Sequence, residues 1–113
     1  LREVDFIKRY IFPGGQLVSV GAMNAAAAST DLRMAHLEDF TPHYAETLRR
    51  WRAKFERNSA GLRALGLDDA FLRMWEFYLC YCEAGFRERA NGVCQILLEK
   101  AGSRRASLLG SSA

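Results

Sequence analysis

The stretch Phe71-Leu-Arg-Met-Trp-Glu-Phe-Tyr-Leu-Cys-Tyr-Cys-Glu-Ala-Gly-Phe-Arg87 governs how the rest of this chain is read. At helical spacing Phe71, Met74, Trp75, Tyr78, Cys82, Gly85 and Phe86 fall on one line, a continuous apolar stripe. Arg73, Glu76, Glu83, Arg87 and Glu88 fall on the opposite side, so the spacing predicts an amphipathic helix of about six turns. Asp68 is placed to cap it, and Asp69 in the first turn complements the helix dipole. The stripe is aromatic and sulfur-bearing rather than leucine-rich. The ordinary use of such a face is to pack against a core. It can also wall a pocket for a long apolar ligand, with Gly85 leaving space where a larger residue would fill it. Composition alone does not separate these uses.

Outward from that helix, the 113 residues are enough for one domain or less, with 50% apolar and 26% charged side chains, ordinary for a soluble globular chain. No run approaches the ~20 apolar residues of a membrane span, and no signal peptide opens the chain. The first residue is Leu1 rather than Met, consistent with a start inside a longer reading frame. A formal charge of +3 permits contact with phosphates or anionic lipid without demanding it. Cys80, Cys82 and Cys94 contain no C-x-x-C pair, and Cys80 and Cys82 point to different sides of a helix, which argues against a zinc site. Unpaired thiols within regular elements suggest a reducing compartment.

Upstream, Leu1–Phe12 reads as a short helix with Val4, Ile7, Tyr10 and Ile11 on one face, stopped by Pro13-Gly14-Gly15. That turn is not a phosphate-binding loop, since it lacks G-x-G-x-x-G and a preceding strand. Gly21–Ser29 is an alanine-rich helix and Leu32–Phe40 a strand. Thr41-Pro42 opens a second long helix, with Thr41 as N-cap and Pro42 at the first helical position. Its stripe is Tyr44, Leu48, Trp51, Phe55 and Leu62, and its other face carries Arg49, Arg50, Arg52, Lys54 and Arg57. Gly66 closes it. Asn91-Gly92 marks a turn before an apolar strand from Val93, and 101–113 reads as a flexible tail. Two strands make no stable sheet alone, so the chain reads as a piece that completes a larger one.

No nucleophile–base pair is legible from spacing. His43 reads as a solvated or capping residue, and Glu38-Asp39 as a solvated strand end rather than a metal site. The five cations within 49–57 suit phosphates or an anionic bilayer surface, although charged helix faces are commonly just solvated. No helix-turn-helix or aromatic RNA-binding motif supports a nucleic-acid partner.

Three segments resemble the cyclopropane-fatty-acyl-phospholipid synthases and their mycolic-acid relatives. They are Asp5-Phe-Ile-Lys-Arg-Tyr-Ile-Phe-Pro-Gly-Gly-Gln-Leu17; Glu38-Asp39 with Pro42-His-Tyr-Ala-Glu-Thr-Leu-Arg-Arg-Trp51; and the Phe71–Arg87 helix, with Gln95 following where the family's last strand carries a glutamine. Val18 stands where the family usually has proline, and Arg89-Ala-Asn-Gly-Val-Cys94 replaces a more apolar approach to the last strand. Nothing corresponds to the family's glycine-rich cofactor loop, its acidic ribose-binding residue, or its bicarbonate-holding glutamate and histidine, all of which lie upstream of this segment.

The resemblance implies an α/β fold: the C-terminal part of a Rossmann-like S-adenosylmethionine-dependent methyltransferase. Residues 1–100 would belong to that domain, with two strands and two long lid helices inserted at about 42–90. It implies methylene transfer to the cis double bond of phospholipid acyl chains, with S-adenosylmethionine bound upstream and bicarbonate taking the departing proton. Tyr44 matches the tyrosine that hydrogen-bonds bicarbonate, and Cys82 the cysteine designated as an active-site residue. An apolar stripe raises a thiol pKa, so Cys82 is expected to be a wall residue rather than a nucleophile. Trp75, Tyr78, Tyr81 and Phe86 are the expected acyl-pocket walls, with Gly85 as the space between them. The expected setting is cytoplasmic, peripheral on the inner membrane face, with an anionic bilayer or a second copy as partner. The competing reading is a non-catalytic truncated helical module that dimerises or binds lipid.

Overall fold

In the computed structural model, which describes residues 5–106, a π-helical turn Ile7–Ile11 is followed by α1 (Val20–Ala28), β1 (Leu32–Asp39), α2 (Thr41–Arg57), α3 (Ser59–Ala64), α4 (Asp69–Arg87) and β2 (Cys94–Lys100). Val4 of the expected first helix and the tail from 107 onward lie outside the described residues. The chain divides into two units, one of residues 1–16 and 39–95, the other of 17–38 and 96–113.

In the second unit, the Ser19 hydroxyl accepts from Ala22 N–H at 3.0 Å and starts α1 one residue earlier than composition suggests. At its other end, the Ser29 and Thr30 hydroxyls donate to the Ala26 and Ala27 carbonyls at 2.8 and 2.7 Å and close the helix. β1 and β2 pair antiparallel in a two-stranded sheet. Arg33 Nη2 reaches Glu99 Oε1 across it at 2.8 Å, and Arg105 Nε donates to the other oxygen of Glu99 at 2.8 Å. The beginning of the tail is therefore tied back to β2.

In the first unit, the Phe12 N–H donates to the Ile7 carbonyl at 2.7 Å, a π-type bond five residues back. Gly14 then turns the chain at φ +77°, a backbone angle that glycine adopts without strain. The core of the unit lies between α2 and α4, where Ala45 and Leu48 are buried on one helix and Leu72 and Leu79 on the other. Asp68 Oδ1 accepts from Phe71 N–H at 2.8 Å and caps α4 as its position in the sequence suggests.

The single helix expected from Thr41 to Gly66 is two. At Asn58 the backbone leaves helical geometry, and the Asn58 amide donates to the Lys54 carbonyl at 2.7 Å. An asparagine side chain that satisfies the last turn locally competes with helix continuation. The short α3 ends at Gly66, whose φ is +94°. Among the described residues no helix is long and apolar enough to cross a membrane.

Candidate functional site

The junction between β1 and α2 is built by Asp39, not by Thr41 acting as N-cap. Asp39 Oδ1 accepts from Thr41 N–H at 2.8 Å and from the Thr41 hydroxyl. The Thr41 oxygen in turn accepts from Val93 N–H at 3.1 Å, which ties the head of α2 to the chain that leads into β2. Thr41 is buried for this reason. The Thr41 hydroxyl, followed by its N–H, holds the Asp39 carboxyl below its usual range. The positive end of α2 is thus already matched by a carboxylate, and His43 beside it is exposed.

From that head, α2 presents Tyr44, whose ring meets Phe86 of α4 edge-on at 4.9 Å and Trp51 at 6.2 Å. On α4, Trp75 packs on Tyr78 at 5.0 Å and stacks on Phe71 at 5.9 Å, and Tyr78 meets Phe12 of the N-terminal segment edge-on at 6.3 Å. The π-helical turn therefore delivers an aromatic ring that helical periodicity in the first twelve residues did not mark.

Of these rings, those of Phe12, Trp51, Trp75 and Tyr78 border a groove of about 600 Å³, which Tyr44, Cys82 and Phe86 do not line. Phe12, Trp75 and Tyr78 line it on one side, and Trp51, Phe55 and Leu62 on the other. That volume is within the roughly 300–1,000 Å³ of small-molecule sites, and its walls are overwhelmingly apolar. A second cleft of about 370 Å³ between Glu56, Arg63, Asp69 and Arg73 is polar, and Arg63 and Asp69 close on each other there at 2.8 Å. The apolar groove is the stronger candidate for a ligand.

Burial pushes the Tyr78 hydroxyl up to about 12, with the Cys82 thiol beside it the next contribution and Tyr44 a smaller one. Burial likewise pushes the Cys82 thiol above its ordinary value, against a smaller lowering by Tyr78. Both groups stay protonated at neutral pH. Cys82 has the environment of a wall residue, not of an activated nucleophile. Tyr44, Trp75, Tyr78, Cys82 and Phe86 are in this way brought to one aromatic neighbourhood.

Other positions of α4 lie apart from this groove. Tyr81 is exposed and stacks on Phe77 at 6.0 Å, and Phe77 in turn takes the ring of Phe6 at 4.7 Å; Tyr81 lines neither the groove nor the Tyr44 cluster. Gly85 has a local structural use. A Cβ there would stand 3.2 Å from Asn91 Nδ2, and the Gly85 carbonyl accepts from Ala90 and Asn91 N–H, so this glycine lets the turn after α4 fold back onto the helix. The buried line of α4 is Leu72, Leu79 and Glu83, whereas the aromatic stripe is only half-buried along one flank.

Glu83, assigned by periodicity to the outer face, is inside. Its Oε1 accepts from Arg87 Nε at 2.9 Å and its Oε2 from Arg52 at 3.4 Å. Arg52 therefore leaves the basic face of α2. Arg49 and Arg50 bind Glu46 at 2.7 and 3.0 Å, so much of the charge expected on that face is internally compensated. Sequence reasoning did not mark Phe12 or Lys54 as groove residues. The i, i+4 spacing of Lys54 with Asn58 and of Lys54 with Arg50 gave no reason to place that lysine beside Trp51 and Phe55. No cluster of metal-binding side chains occurs among the described residues.

Comparison with known proteins gives a consistent set of relatives. The mycolic acid cyclopropane synthetase family model matches residues 1–96. The chain is 47% identical over 98 residues to the tuberculostearic acid methyltransferase UfaA1 of Mycobacterium tuberculosis, covering 86% of this chain and 23% of that protein. It is 33% identical over 99 residues to cyclopropane mycolic acid synthase 1 of the same organism, covering 88% of this chain and 34% of the relative. Its fold superposes on the crystal structure of mycolic acid cyclopropane synthase CmaA1 complexed with SAH and CTAB, with a TM-score of 0.80, 30% identity, and coverage of 84% of this chain and 33% of that one. The cyclopropane synthase MmaA2 of M. tuberculosis gives a TM-score of 0.78 at 28% identity over 82% of this chain and 32% of its own. The chain thus spans between 23% and 34% of the length of these relatives.

Proposed function

The chain belongs to the mycolic acid cyclopropane synthetase family, and on that premise we propose that it is the C-terminal, acyl-binding part of an S-adenosylmethionine-dependent enzyme that modifies the cis double bond of phospholipid acyl chains. The observation that carries this reading is the aromatic groove between α2, α4 and Phe12. A reaction that builds positive charge on an acyl double bond needs water kept out and π faces turned inward, each worth about 0.5–2 kcal/mol. Trp51, Trp75 and Tyr78 line the groove with such faces. Tyr78 and Cys82, both protonated, present no phenolate or thiolate to trap such a cation.

S-adenosylmethionine finds no seat among the described residues. The Gly14-Gly15 turn follows a π-helical turn rather than a strand and leads to a helix capped by Ser19, so it offers neither a phosphate-type cradle nor an acidic ribose partner. The methyl donor belongs to a part of the enzyme outside this chain. For bicarbonate, the Tyr44 hydroxyl is a fitting donor: its ring is held by Phe86 and Trp51, and the hydroxyl makes no hydrogen bond to another described residue. Such a donor would orient a small anion beside the Tyr44 ring.

The test is replacement of the matching 98 residues of the M. tuberculosis methyltransferase UfaA1 with this segment. Methyl transfer from labelled S-adenosylmethionine to oleoyl phospholipid is then measured. Retained transfer is expected. A folded, soluble chimera that binds oleoyl lipid but transfers no methyl group would refute the enzymatic reading and select a lipid-binding module instead.

A further inference from the structure

Lys54 is the charged side chain on the lining of the groove, beside Trp51 and Phe55. Of the neighbouring cations of α2, Arg49 and Arg50 are engaged by Glu46 and Arg52 by Glu56 and Glu83, while Arg57 is not on the lining of the groove. Lys54 pairs with no carboxylate among the described residues. Asn58, one turn further on, lines the same stretch and donates to the Lys54 carbonyl, so lysine and amide form a polar edge on an otherwise apolar trough. A lysine can lay its methylene stem along such a wall while its ammonium group stays at the water boundary. An amphiphile with a negative head and an apolar tail matches both features.

We propose that Lys54 anchors the headgroup phosphate of an anionic phospholipid whose acyl chain occupies this groove. The inference rests on the groove being an acyl site, as argued above. A compact ammonium with three donors engages a phosphate as a point charge without a fixed approach. The contact lies at the surface, so it is weakened by salt, and one lysine near an anionic lipid headgroup is worth about fivefold in affinity.

The chain contains two tryptophans, Trp51 and Trp75, and both line the groove, so intrinsic fluorescence reports its occupancy. The full chain is titrated, below micelle formation, with oleoyl lysophosphatidylglycerol, with oleoyl lysophosphatidylcholine and with oleate. The glycerol lipid should bind about fivefold more tightly than the choline lipid at low salt. This preference should vanish in Lys54→Ala and persist in Lys54→Arg, with helicity unchanged by circular dichroism. Equal binding of the two lysolipids by the wild-type chain overturns the proposal, as does an equal loss for both in Lys54→Ala. Tighter binding of oleate than of lysophosphatidylglycerol overturns the assignment to phosphate. If none of the three lipids changes the fluorescence, the groove is not an acyl site, and both readings fall.

Discussion

Replacing Glu83 with alanine removes the carboxylate that periodicity places in water and the structure places between helices. Its side chain is 12% exposed, and both oxygens are used, one by Arg87 at 2.9 Å and one by Arg52 at 3.4 Å. Breaking a fully buried ion pair costs about 3–5 kcal/mol because a charge is left without a partner. Here the partners are not stranded. Arg52 is 31% exposed and keeps Glu56 at 3.3 Å, and Arg87 is 49% exposed and can rehydrate. About half of the buried-pair figure, roughly 1.5–2.5 kcal/mol, is therefore expected for Glu83→Ala. Glu83→Met should cost less than Glu83→Ala, since a hydrophobic side chain of similar size replaces the volume and removes the desolvation penalty. Urea unfolding followed by circular dichroism measures both variants, and a double-mutant cycle with Arg52→Ala isolates the pair. A coupling energy of at least about 0.5 kcal/mol is expected. If Glu83→Ala falls within about 0.5 kcal/mol of wild type, as ordinary surface changes do, the interior placement of Glu83 is refuted.

Thr41→Val keeps the shape of a buried side chain but removes the oxygen shared by Asp39 and Val93 N–H, and should cost about 1–3 kcal/mol in the same unfolding assay; a neutral result would mean that the tie between Thr41 and Val93 carries no stability. The carboxyls of Asp39 and Glu46 are both held low, Asp39 by Thr41 and Glu46 to about 2 by Arg49 and Arg50. Both lowered values mean stabilisation that is complete above the unfolded-state values of 3.8 and 4.5 and is lost as pH falls through the folded ones. Acid titration should therefore loosen α2 between about pH 4.5 and 2, and Asp39→Asn should flatten that response; an unchanged acid midpoint would contradict the assignment. In the UfaA1 chimera, Tyr44→Phe should lower turnover about ten- to a hundredfold, the cost of one positioned hydrogen bond to a charged group, with partial recovery at high bicarbonate. Full turnover of that variant at low bicarbonate would reduce Tyr44 to a packing ring.

Much of the local structure follows from short-range chemistry and was legible without coordinates. Asp68 caps α4, Gly66 ends α3, and Pro13-Gly14-Gly15 stops the first turn, because each acts through its own backbone angles or its nearest N–H groups. The two strands and the mostly helical remainder came from periodicity, and the family from three motifs in order. The break at Asn58 was missed because a side-chain bond to Lys54 O competes with a helix that propensity alone would continue. The serine–threonine capping rule reads Thr41 as a cap because it is local, whereas the Thr41 oxygen accepts from Val93 N–H, distant in sequence.

What the sequence determined by itself, then, was the set of elements, the amphipathic character of α2 and α4, and the family, all of which depend on neighbours within a few residues. Which flank of each helix faces which partner was decided only in three dimensions. An amphipathic stripe is wide enough to allow a rotation of tens of degrees about the helix axis, and the rotation adopted buries Ala45 and Leu48 on α2 and Leu72 and Leu79 on α4. That choice drew Glu83 and Arg52 inward, turned Tyr81 outward, and left the aromatic flank of α4 facing Trp51, Phe55 and Phe12 across an open groove with Lys54 on its edge. No periodicity within a single segment contains that information, because it resides in the fit between two helices.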